Sequence, residues 1–140
     1  MTIPKLYRRF RAAGYSAQSA LHAAKVYSAF SDRDDVRIMA DDEQENYFDV
    51  YGEPEGYVNL FVRNVTADQE RDELVEQIER NGCYCVYSQA RDPQSGKWRV
   101  VDSVGMCVGY RDACSPFDNE HVIDLMQAAI EFAESAFVGV

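Results

Sequence analysis

Cys83-Tyr84-Cys85-Val86-Tyr87-Ser88-Gln89-Ala90-Arg91, then Asp92-Pro93-Gln94-Ser95-Gly96-Lys97, then Trp98-Arg99-Val100-Val101-Asp102 is the stretch that decides the fold class. Two runs with β-branched and aromatic residues flank six residues dominated by turn formers. Strands are expected from Cys83 to Arg91 and from Trp98 to Tyr110, with Asp92 to Lys97 as a hairpin loop. A hairpin pairs its strands antiparallel. Upstream, Val36, Ile38 and Ala40 alternate with Arg37 and Met39, which predicts a strand from Val36 to Ala40. Tyr47 to Tyr51 and Tyr57 to Val62 read as two more, divided by the turn-forming Gly52-Glu53-Pro54-Glu55-Gly56.

Helical signals surround these strands. Thr2 and Pro4 open a first helix to about Ala13, with Leu6, Phe10 and Ala13 on one face and Gly14 as terminator. Ser16 caps a second, running to about Phe30, with Ala17, Ala20, Leu21 and Ala24 as its apolar stripe. Thr66-Ala67-Asp68-Gln69 is a capping box for a third, carried by Leu74, Val75 and Ile78 and closed by Asn81-Gly82. A last helix starts near Ser115-Pro116 or Asp118-Asn119 and uses Val122, Leu125, Met126, Ala129, Ile130 and Ala133. The order α-α-β-β-(β)-α-β-β-α describes an α+β fold, a mainly antiparallel sheet with helices packed on it. At 140 residues, 46% of them hydrophobic, the chain is expected to form a single domain over 1–140.

Charge is split along the length. Residues 1–31 contain no acid and carry Lys5, Arg8, Arg9, Arg11 and Lys25, so all 24 acids fall in the remainder. A net charge of −10 argues against a general nucleic-acid binder and favours a basic partner. Arg8, Arg9 and Arg11 are nevertheless spaced closely enough to contact phosphates. The alternative reading is therefore a nucleic-acid-binding regulator built on the basic helices. Met1-Thr2-Ile3-Pro4-Lys5 has no apolar core of a signal peptide, and no run approaches a membrane span. A cytoplasmic location with reduced cysteines is expected.

Few residues suggest chemistry. Cys83 and Cys85 are two apart and share a face of their strand. A loop of Asp92 to Lys97 sets Arg91 opposite Trp98 and Cys85 opposite Val104, with Cys107 on the other face. A one-residue slip would instead set Cys107 opposite Cys83. The spacing of Cys83, Cys85, Cys107 and Cys114 does not match the paired turns of structural zinc sites, so they read as core cysteines. Cys114 and His121 are the one local nucleophile-and-base pair, with no surrounding signature. His22 reads as a half-exposed helix residue. Gly105 and Gly109 within a strand suggest a bulge or a close approach. Asp102-Ser103-Val104-Gly105-Met106-Cys107-Val108-Gly109-Tyr110 is not a phosphate loop, having no Gly-Lys-Ser/Thr and no strand-loop-helix order with the right glycine spacing. Asp102 and Ser103 are a candidate functional pair, against the plainer reading of a twisted strand under a helix.

The acidic run is the strongest surface signal. Ten acids lie between Asp32 and Glu55 against Arg33 and Arg37. Asp41-Asp42-Glu43-Gln44-Glu45-Asn46 lacks the sixth-position glycine of a calcium loop. Carboxylates interleaved with tyrosine suit a basic surface, since the acids attract Lys and Arg and the rings add rigid contact area. Asp41, Asp42, Glu43, Glu45, Tyr47 and Asp49 are the expected partner-binding residues. No catalytic residue, metal or cofactor is assigned.

Gly14-Tyr15-Ser16-Ala17 leading to Ala20-Leu21, Asp102-Ser103-Val104 with Val108-Gly109-Tyr110, and Asp124-Leu125-Met126 with Ala128-Ala129-Ile130 carry a resemblance. Over about a third of its length the chain resembles short uncharacterised proteins of phages and mobile elements. Small acidic inhibitors, anti-CRISPR proteins among them, occur in those neighbourhoods. The resemblance implies an inhibitor of a host nucleic-acid-binding defence protein, such as a CRISPR effector, and no catalytic residue. The expected function is a small acidic protein-binding module that engages a larger protein with a basic surface. A cysteine-based metal or redox protein is a further alternative.

Overall fold

The computed structural model describes residues 1–42 and 76–136. The strands expected at Tyr47 to Tyr51 and Tyr57 to Val62, and the capping box at Thr66, lie outside the described residues. Within them the fold is α+β: α1 (Ile3–Ala12), α2 (Ala17–Ser31), β1 (Val36–Asp42), α3 (76–81), β2 (Cys83–Arg91), β3 (Trp98–Val108) and α4 (His121–Ser135). The strands form an antiparallel sheet in the order β1-β2-β3.

Local chemistry accounts for the element ends. Thr2 Oγ1 accepts from Lys5 N at 3.4 Å, and Pro4 occupies the first turn of α1. Ser16 Oγ accepts from Ser19 N at 3.2 Å and starts α2. Gly82 N donates to Ile78 O at 2.7 Å and closes α3 with a φ of +82°. A Cβ at Gly82 would lie 2.9 Å from the far end of the Tyr84 side chain, which would have to shift, and the positive φ is what calls for glycine here.

The hairpin begins as the sequence predicts, with Arg91 opposite Trp98, Ala90 opposite Arg99 and Gln89 opposite Val100. Two one-residue shifts then follow, because β3 carries extra residues. Ser88 faces Asp102, Val86 faces Val104 and Tyr84 faces Cys107. The expected pairing of Cys85 with Val104 is therefore corrected by one residue. Gly105 falls within the second irregularity, as a glycine inside a strand suggests. Two successive shifts, rather than a single slip, leave Cys107 on the face opposite Cys83 and Cys85.

The inner face of the sheet presents Val36, Ile38 and Ala40 with Ala90, Ser88 and Val86, since directly opposed residues share a face. α4 covers it with Val122, Leu125, Met126, Ala129 and Ala133, all buried. Ile123 is buried as well, whereas Ile130 is only half-buried. α2 packs on α4, and α1 packs on α2. Leu6 and Phe10 are buried on α1, each contributing roughly 1.5–3 kcal/mol. Phe10 stacks on Phe117 at 4.4 Å and meets Tyr15 and Tyr27 edge-on at 5.0 and 6.1 Å.

Two apolar assignments need correction. Ala13 is exposed, as is Ala12 before it, so the buried face of α1 ends at Phe10. The buried stripe of α2 is Ala20, Ala23 and Ala24, which leaves Ala17 and Leu21 on the surface. The aromatic cluster around Phe10 and Tyr27 fixes that rotation.

Candidate protein-binding surface

β1 runs two residues further than its alternation indicates, so Asp41 and Asp42 lie on a strand rather than in a loop. Asp41 sits opposite Cys85 and Asp42 opposite Tyr84. The ladder to β2 holds the backbone of both residues extended, so their carboxylates leave opposite faces of the strand, and both residues are exposed. Asp41 shares the outer face with Arg37 and Met39. The Tyr87 hydroxyl donates to Asp41 Oδ1 at 3.3 Å. Partial burial, followed by the Asp41 carboxylate, holds the Tyr87 phenol above its ordinary pKa. Glu43, Glu45, Tyr47 and Asp49 lie outside the described residues.

The outer face of the sheet adds a feature that sequence reading missed. Arg37 Nε donates to Gln89 Oε1 at 2.6 Å, and its guanidinium lies 4.0 Å over the Trp98 ring. Arg91 approaches the same ring at 5.5 Å. Met39 and Val100 are exposed beside them, at 38% and 59%. Arg, Trp, Tyr and Met are the residue types enriched where proteins meet. The signal was the Arg91–Trp98 pairing, which the loop length already indicates.

The two histidines come together in a cleft between α2 and α4. Tyr15, Ser19, His22, Glu120, His121 and Asp124 line about 310 Å³. His22 Nε2 and Gln127 Oε1 are 3.1 Å apart. Tyr15 donates to the Pro116 carbonyl, and its pKa is pushed up to about 12 by burial and then by Glu120 and Asp124. Among the described residues, no three His, Cys, Asp or Glu side chains are grouped to hold a metal ion.

Cys83 and Cys107 are buried, and Cys85 and Cys114 are half-buried. Burial, then Asp112 and Cys107, pushes the Cys114 thiol up. That shift disfavours the thiolate a nucleophile requires. Asn119 is fully buried and organises this loop, donating to Ala113 O at 2.9 Å and to Cys107 Sγ at 3.6 Å. Its Oδ1 accepts from His121 N at 3.2 Å at the start of α4.

The three arginines of α1 diverge. Arg9 lies 4.0 Å over the Phe117 ring, and Arg11 Nη1 donates to Tyr15 O at 3.0 Å. Arg8 lines an open groove with Ile3, Pro4, Tyr7, Ala17 and Leu21. Among the described residues, no helix is long and apolar enough to cross a membrane. No family model, curated protein or solved structure matches this chain.

Proposed function

We propose that this chain is a small, non-catalytic protein-binding module of the cytoplasm. Its acidic strand end, at Asp41 and Asp42, docks on a basic surface of a larger protein, one that otherwise holds nucleic acid, and blocks it. The observation that supports this reading is the two exposed carboxylates at the end of β1, Asp41 on the outer face with Tyr87 hydrogen-bonded to it and Asp42 on the opposite face of the same strand. Carboxylates on a paired strand lose less freedom on binding than those on a mobile tip, so more of their attraction is retained as affinity.

The test is capture from lysate by the intact protein and by an Asp41→Lys, Asp42→Lys, Glu43→Lys variant, at low and moderate salt. The captured partner is then titrated against both proteins. Charge reversal is expected to weaken binding about tenfold or more and to flatten its salt dependence. Added nucleic acid should compete with the intact protein for the partner. Affinity and salt slope that both survive the reversal would overturn the reading.

A further inference from the structure

The exposed side of α1 and α2 presents an apolar groove that the acidic strand end does not use. Ile3, Pro4, Tyr7, Ala17 and Leu21 line it with Arg8 along about 600 Å³. Ile3 and Leu21 are exposed, at 37% and 43%, and Met1 beyond them at 68%. Apolar residues gathered this way differ from singly scattered surface residues and mark a place where something docks. Both walls are helices with capped starts, so the groove is preformed.

The charge around the groove selects the occupant. Arg8 lies in the lining, Lys5 is three residues before it on α1, and Lys25 is one turn beyond Leu21 on α2. All three are exposed, and no ion pair among the described residues engages them. No acid occurs anywhere in residues 1–31. A second copy docked groove to groove would oppose these positive rims. Nucleic acid would leave the apolar floor unfilled, and these few cations would serve its phosphates poorly.

We infer that the α1–α2 groove binds an amphipathic helix of a partner protein, with apolar anchors on the floor and Asp or Glu against Arg8, Lys5 and Lys25. α1 has ten residues, so it spans about 15 Å, which matches anchors at i, i+3 or i+4, and i+7. Such a helix carries charge opposite to that of the surface engaged by Asp41 and Asp42. The chain thus holds two different partners, or two segments of one partner, on separate faces.

A ribosome-displayed library tests this on the intact protein. It holds helices of about 14 residues, long enough for four turns, with floor positions drawn from Leu, Phe and Ala and flanking positions from Glu, Gln and Lys. Selection is expected to enrich Leu or Phe at the floor and Glu at the flanks. A selected peptide should bind with micromolar affinity, lose about tenfold against Leu21→Glu, and lose a similar factor against Arg8→Glu/Lys25→Glu. Both variants change exposed residues, and circular dichroism confirms that they fold. The double variant should in turn favour Lys-flanked peptides. Selection without charge preference, or peptides that bind the variants equally well, would overturn the inference. So would a dimer of the free protein that Leu21→Glu dissolves. The Asp41 and Asp42 reversal leaves peptide binding unchanged if the two faces are separate, so failure of one reading does not carry the other with it.

Discussion

Tyr15 ties the turn after α1 to the loop before α4. Its ring meets Phe10 edge-on, and its hydroxyl donates to Pro116 O. Its phenol titrates near 10 in the unfolded chain and at about 12 in the fold, through burial first and then Glu120 and Asp124. Between those values the unfolded chain has released a proton that the fold retains. Stability from this group is complete below about pH 10 and falls as pH rises towards about 12. Urea unfolding of the parent between pH 9 and 12 should show a steeper loss than Tyr15→Phe, and absorbance titration should lack one late-ionising phenol in the variant. Equal slopes would mean that Tyr15 ionises normally. At neutral pH the substitution leaves the Pro116 carbonyl without its donor and should cost about 1 kcal/mol.

Among the elements, the β2–β3 hairpin depends on its loop. Asp92 Oδ1 accepts from Gln94 N at 2.9 Å, and Asp92 N donates to Lys97 O at 2.8 Å. The carboxylate's bonds hold Asp92 below the ordinary carboxylate range, through the Gln94 amide first. Gly96 returns the chain with a φ of +72°, and nothing lies within 4 Å of the place a methyl group would take. Gly96→Ala therefore adds backbone strain without a clash, and it should lower the unfolding free energy by about 1 kcal/mol. A denaturant midpoint equal to the parent's would show that the loop relaxes to another turn. The sequence announces this loop and both strand starts, because turn residues act locally. It does not announce the register, because each extra residue in β3 moves every later pairing while leaving a plausible alternation. α2 misleads for a related reason: Ala17, Ala20, Leu21, Ala23 and Ala24 spread over an arc of about 160°, wider than the stripe that is buried, so periodicity alone cannot choose which part of it faces inward. Phe10, Tyr27 and Phe117 choose it, from three separate segments. The candidate surface was legible as charge but not as geometry. Asp is a poor strand former, and only pairing with Tyr84 and Cys85 extends β1 through Asp41 and Asp42. The cleft that joins His22 to His121 arises from α2 packing on α4, a contact no local pattern encodes.

At the scale of the whole molecule, charge segregation leads to a sign that salt can read. Among the described residues the basic helices use other contacts: Arg9 lies on Phe117, Arg11 on a backbone carbonyl, and Lys5, Arg8 and Lys25 remain exposed. The ion pairs among the described residues use Arg33, Arg80, Arg91 and Arg99 instead, most of them with well-exposed partners. Exposed pairs of this kind contribute at most about 1 kcal/mol each. Against them stands the mutual repulsion of a chain with a net charge of −10. Raising ionic strength from about 0.01 M to about 0.15 M shortens the screening length from about 30 Å to about 8 Å. Repulsion acts over longer distances than the contact pairs, so screening removes more repulsion than attraction. Tm should rise by about 3 °C over that range, equivalent to roughly 1 kcal/mol for a chain of this size. The rise should be smaller when Asp41 and Asp42 are replaced by Asn, because two of the charges that repel have gone. A Tm that falls with salt would mean that attraction between the basic helices and the acidic remainder dominates, and that the groove rim is electrostatically occupied from within.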